Sequence, residues 1–134
     1  KLTPNDPEAM NNLGYFLADH NTRLEEANQL IIRALKKSPT APHIIDSAAW
    51  LAYRQNDLDK ALQLAPKAQT LSTSPDITLH LAEILWVKGD INAAHKLFKD
   101  LQNLPVIKPD DAFQIELNKT LQRLGVGLNN PIAP

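Results

Sequence analysis

Four histidines, His20, His43, His80 and His95, have the widest chemical reach in this chain, together with the acids and hydroxyls beside them. His80 and Glu83 stand three apart, which places both on one face of a helix, as metal ligands can stand. No second close pair completes a coordination set, and no motif of two His flanking a Glu is present. Asp46-Ser47 lies near His43, but consecutive turns of one helix do not supply a triad with its base, orienter and oxyanion hole. The four glycines, at 14, 89, 125 and 127, are scattered rather than gathered into a phosphate loop. Lys36-Lys37 and Lys96/Lys99 are too sparse for a nucleic-acid face, and a net charge of −1 supplies no field to attract one. The absence of cysteine removes disulfides, thiolate metal sites and thiol nucleophiles. The chemistry that remains is that of surfaces. The expectation is a binding protein, not an enzyme, with no cofactor and no metal.

Those surfaces need helices to carry them. Hydrophobic residues make up 43% of the 134, enough for a packed core, while aromatics are only 5%. Ala and Leu dominate the apolar content, which favours close-packed helices over strands. No apolar run approaches the ~20 residues of a membrane span, so direct membrane insertion is not expected.

An internal repeat organises the chain. Asn11-Asn12-Leu13-Gly14-Tyr15-Phe16-Leu17 with Glu25-Glu26-Ala27 aligns with Ser47-Ala48-Ala49-Trp50-Leu51-Ala52 and Asp59-Lys60-Ala61. Both align with His80-Leu81-Ala82-Glu83-Ile84-Leu85 and Asn92-Ala93-Ala94. Gly14, Ala49 and Ala82 are 35 and 33 apart, and Ala27, Ala61 and Ala94 are 34 and 33 apart. Small residues are required where two helices cross closely, because a larger side chain would separate the backbones.

Punctuation agrees with the period. Asp6-Pro7 and Ser74-Pro75 read as N-caps followed by proline in the first turn, where its missing N–H costs nothing. Thr22-Arg23-Leu24-Glu25 reads as a capping box, and Gly89-Asp90 as the end of one helix and the cap of the next. Helices are expected at about 7–20, 23–37, 42–55, 58–71, 75–88 and 91–103. A seventh starts at Pro109-Asp110-Asp111, carries Phe113, Leu117, Leu121 and Leu124 as one apolar stripe, and stops at Gly125. Its polar back suits a cap, one face on the last hairpin and one in water. Pro66 falls inside the fourth helix and is expected to kink it.

These residues resemble the tetratricopeptide repeat family. Gly14, Ala27, Ala34 and Pro39 match its pattern in the first repeat, with one extra residue in the turn at 19–22. Ala49, Ala61 and Ala68 match in the second, and Ala82 and Ala94 in the third, where Leu101 replaces an expected alanine. The resemblance implies an all-α, right-handed superhelix of antiparallel helix pairs: three repeats over 7–104, then a capping helix over 109–125. Residues 1–6 read as the end of a preceding repeat, and 126–134 as a flexible tail. Leu2-Thr3-Pro4-Asn5-Asp6-Pro7 has the shape of a helix end followed by a helix start, so the chain is expected to be the C-terminal part of a longer protein.

In this family the first helices of the repeats line a concave groove that holds a protein or peptide. The positions so implied include Tyr15, Asp19, Asp46, Trp50, Tyr53, Arg54, Leu79, Glu83 and Trp86. Tyr15, Trp50, Tyr53 and Trp86 are four of the seven aromatics, and aromatic walls make good anchors. Glu8, Asp19, Asp46, Asp76 and Glu83 against Arg54 alone imply an apolar partner with some basic character. The alternative for the aromatics is packing between neighbouring helices. Asn11 and Tyr15 stand where the family's carboxylate clamp has Lys and Asn, so capture of an acidic chaperone tail is not implied. Phrases such as Thr22-Arg23-Leu24-Glu25-Glu26-Ala27 and Asp46-Ser47-Ala48-Ala49-Trp50 are similar to those of bacterial repeat proteins. That similarity implies a periplasmic or outer-membrane-associated setting, with the cytoplasm as the alternative. The expected function is a scaffold or adaptor. The rivals are a homodimer formed through the first helix, leaving Met10, Leu13 and Leu17 for a second copy to cover, and an auxiliary domain of a larger enzyme.

Overall fold

A computed structural model describes residues 6–105 and 111–127, and among them the chain is all helix and connection. The helices are α1 (Pro7–Asp19), α2 (Leu24–Lys37), α3 (Pro42–Arg54), α4 (Leu58–Leu71), α5 (Pro75–Lys88), α6 (Ile91–Gln102) and α7 (Ala112–Leu124). Consecutive helices pair as hairpins, α1 with α2, α3 with α4 and α5 with α6, and α7 packs on both helices of the third hairpin. The chain divides into two compact units, Lys1–Thr73 and Ser74–Pro134.

The helix starts follow local chemistry. Asp6 accepts the N–H groups of Glu8 and Ala9, at 2.8 and 3.2 Å, with Pro7 in the first turn. Asp57 accepts from Lys60 and Asp111 from Phe113 and Gln114, each satisfying donors that a helix start leaves open. Ser74 and Asp90 hold cap positions without a side-chain cap bond. Gly89 and Gly125 end α5 and α7 in the left-handed region, at φ 103° and 75°, where glycine carries no Cβ penalty.

The capping box at Thr22–Glu25 does not form. The N-cap is Arg23, itself left-handed at φ 49°, with no side-chain cap bond. The extra residue in this turn is the cause. The Thr22 N–H is already committed to the Leu17 carbonyl, Asn21 is left-handed at φ 53°, and the helix begins one residue late. Glu26, not Glu25, then sits three residues past the cap, 3.9 Å from the Arg23 guanidinium. Pro66 lies inside α4, which is nevertheless continuous from Leu58 to Leu71. Ala61, Ala65 and Ala68 stay buried on both sides of it, so packing outweighs the lost hydrogen bond.

In the first unit Met10, Ala34 and Ile44 join α1, α2 and α3. Leu17, Ala18, Ala27, Ile31, Ala48, Trp50 and Leu51 extend the same core. Gly14 belongs to the α1–α2 crossing: a Cβ there would stand 2.7 Å from Ile31 Cγ1 and 3.3 Å from the Ala27 carbonyl oxygen. The small-residue register therefore has a steric cause. Met10 and Leu17, expected to lack cover, are buried by their own hairpin and by α3, whereas Leu13 is exposed.

In the second unit Leu79, Ala82, Ala94, Phe98 and Leu101 meet Leu117 and Leu121 of α7 in one cluster. The stripe read for the seventh helix is the face that packs. Val126 also packs against this cluster, and the Gly127 carbonyl lies 3.3 Å from His95 Nε2. The stretch read as a flexible tail thus begins with two residues held in place. Residues 128–134, and those of the expected preceding repeat at 1–5, lie outside the described residues.

Candidate functional site

The residues expected to line a groove fall in both units and are taken unit by unit. In the first, α1 supplies Tyr15 and Asp19, and α3 supplies Asp46, Trp50, Tyr53 and Arg54. Trp50 is only 4% exposed. Its ring belongs to the core, and its indole N–H donates to Asp19 Oδ1 at 3.1 Å. Arg54, one turn further along α3, reaches the end of α1. Its Nε donates to the Ala18 carbonyl and one terminal nitrogen to the Asp19 carbonyl, both at 3.1 Å.

Those carbonyls are among the last of α1 and have no partner within the helix, and the helix dipole places negative charge there. A guanidinium is the fitting group, since it is always charged and carries several donors in a plane. Trp50 and Arg54, four apart on one face, thus clamp the C-terminal turn of α1 onto α3. Of the two expectations for Trp50, a partner contact or packing between neighbouring helices, this packing matches the second, and Arg54, expected to face a partner, bonds to α1. The signal that could have shown it is the i, i+4 pairing of an indole and a guanidinium opposite a helix end.

Of the expected groove positions on this unit, those left at the surface are aromatic and acidic. Tyr15 and Tyr53 are half-buried and pack against the same core, with the Tyr53 ring 4.9 Å from that of Trp50. Asp19 and Glu8 are exposed, and Asp46 is buried. Tyr15, Tyr53 and Asp19 thus share the α1–α3 face with their backbones fixed by the clamp.

In the second unit Leu79 is a core residue and Trp86 is half-buried, 6.4 Å from the Phe98 ring in an edge-on arrangement. Glu83 is 2% exposed and engaged by α7: Arg123 donates to its two carboxylate oxygens at 3.1 and 2.8 Å. A bidentate guanidinium is what a buried carboxylate needs to offset its desolvation. Arg123 was not anticipated. A lone acid on a buried face, opposite a lone arginine on the capping helix, was the available clue.

The other candidates stay apart. His43 is exposed, His95 is buried on α6, and no group of three or more metal-binding side chains forms among the described residues. No described helix is long and apolar enough to cross a membrane.

No family profile matches the chain. Over 80 residues, 60% of this chain, it is 40% identical to the TPR repeat-containing protein PA4667 of Pseudomonas aeruginosa. The chain covers 14% of that relative's length. The resemblance read from the small-residue register therefore recurs in direct comparison with a bacterial repeat protein.

Proposed function

For a chain built of tetratricopeptide-type helical repeats, we propose a role as a protein-interaction scaffold, with Tyr15, Tyr53 and Asp19 on the α1–α3 face as its anchor. The carrying observation is the clamp: Trp50 and Arg54 fix the end of α1 on α3, so the two half-buried tyrosines stand on a preorganised surface. Tyrosines held in this way contribute contact area at low entropic cost. Exposed Asp19 and Glu8 beside them favour a partner segment that is apolar with some basic residues. Trp50 and Asp46 act beneath this surface, and on the second unit, where Leu79 and Glu83 are buried, Trp86 offers a smaller aromatic edge. The cell-envelope setting remains part of the proposal and rests on the likeness to bacterial repeat proteins. Fractionation of cells expressing the natural protein tests it.

A displayed random-peptide library selected on the chain tests the binding reading. Enrichment of apolar, basic peptides is expected, with affinity falling about tenfold or more in a Tyr15→Ala/Tyr53→Ala variant. The circular dichroism spectrum of that variant should match the parent. Peptides that bind both proteins equally would place the site elsewhere.

A further inference from the structure

Asp19, Tyr53 and Tyr15 gather about the buried Trp50 indole. Its N–H donates to Asp19 Oδ1 at 3.1 Å, and its ring centroid lies 4.9 Å from that of Tyr53. Tyr15 packs against the same core and stands four residues before Asp19, one turn away on a single face of α1. An exposed carboxylate thus lies within one indole's width of one half-buried ring and one helical turn from another. The cations closest to it in the chain are turned elsewhere. The Arg54 guanidinium bonds to the carbonyls of Ala18 and Asp19, not to the carboxylate. The His20 ring stacks on Phe16, with centroids 4.1 Å apart, and its Nδ1 lies 2.8 Å from the Phe16 carbonyl oxygen. Arg23 faces Glu26. Among the described residues no cation pairs with the Asp19 carboxylate, and its second oxygen, Oδ2, is left for one from outside the chain.

Aromatic rings and a carboxylate together attract a cation, the rings through their quadrupole and the acid through its charge. How the carboxylate is held decides which cation. With Oδ1 committed to the indole, the two parallel bonds of an arginine fork meet only one open oxygen. An ammonium is a compact point charge that one oxygen serves, and its methylene stem can lie along apolar ring surface. We infer that Tyr15, Tyr53 and Asp19 form a receptor for a lysine side chain of the partner segment, selected over arginine. The stem rests on the tyrosine rings and the ammonium meets Asp19 Oδ2. This rests on the α1–α3 face being the binding surface and adds the residue type that the surface reads. Trp50 is a positioning residue in it, since it holds the acid and one ring together.

The test uses short blocked peptides of leucine and alanine with lysine, arginine or norleucine at the centre, titrated into the isotope-labelled full chain and followed by NMR. The Trp50 indole N–H is the reporter, because it is bonded to the carboxylate that the ammonium meets. A saturable shift of that resonance is expected with the lysine peptide. Affinity should be about threefold weaker with arginine and about tenfold weaker with norleucine. Asp19→Asn keeps an oxygen to accept the indole N–H, so its helicity should match the parent, yet it should erase the preference for lysine over norleucine. Equal affinity for lysine and arginine, or a lysine preference that survives Asp19→Asn, overturns the inference. If those peptides still lose affinity in the Tyr15→Ala/Tyr53→Ala variant, the binding surface stands without its lysine receptor. Peptides indifferent to the tyrosine pair overturn both readings. No shift with any of the three overturns the receptor, and the peptide library then judges the surface by itself.

Discussion

In the first unit a hairpin meets a hairpin, and the contact is held by small residues and by bonds to backbone. Gly14, Ala18, Ala27 and Ala48 let the helices approach, while Trp50 and Arg54 tie α3 to the last turn of α1. In the second unit a hairpin meets a single helix, and fewer, larger groups carry the contact. Phe98 is fully buried beside Leu117 and Leu121, and one ion pair joins Glu83 to Arg123 across 40 residues. An interface repeated along a solenoid can spread its stabilisation over many alanines. Where a single helix, α7, meets the hairpin, the contact is concentrated in one ring and one charge pair.

Concentration predicts fragility. Phe98→Ala should cost about 3–5 kcal/mol, the usual range for deleting a buried aromatic ring. In urea melts followed by circular dichroism, the second unit should then unfold ahead of the first. Loss of all helix in one step would erase the distinction between the units.

Arg123→Ala comes next, at about 2 kcal/mol. Breaking a buried pair strands the Glu83 carboxylate, but the half-exposed arginine side moderates the loss. A Glu83→Gln change in the Arg123→Ala background should recover part of it, because the amide is cheaper to bury than the charge.

In the first unit Arg54→Ala should cost about 1–2 kcal/mol, the lower part of the roughly 1.5–3 kcal/mol range for charged hydrogen bonds, because the side chain is only half-buried. Arg54→Lys should not restore it, since one ammonium cannot reproduce the planar set of donors. A loss as large as that of Phe98→Ala would show that this unit too hangs on one residue. The smallest effect belongs to Lys96→Ala. Its 3.4 Å contact with Asp100 joins two largely exposed side chains, and a change in stability within about 0.5 kcal/mol is expected.

Helices were legible because their ends are marked by prolines, acids and glycines, and the register of small residues showed which helices pair. The misreading at Thr22–Glu25 arose at the inserted residue: Asn21 is left-handed like its equivalent Asn56 in the next hairpin, and Arg23, left-handed as well, takes the cap position in place of Thr22. The expected groove was no more than a set of positions. Repeat position placed Trp50, Asp19 and Arg54 on neighbouring helices, but it could not show that they would satisfy one another. The Glu83–Arg123 pair was hidden for a similar reason: it depends on how a capping helix outside the repeat is rotated about its axis. Met10 and Leu13 illustrate the same limit, as one is buried and the other exposed although both are apolar residues of the same helix.

Trp50 and Trp86 are the chain's two tryptophans, and each unit holds one of them. The molecule therefore carries its own pair of optical labels. Trp50 is sealed with its N–H on a carboxylate, whereas Trp86 is partly wet and edge-on to a phenyl ring, so the two should emit at different wavelengths and differ in quenching by iodide. Trp50→Phe and Trp86→Phe variants would each report one half of the chain, and a partner settling on either half would announce which one it had chosen by the colour that shifts.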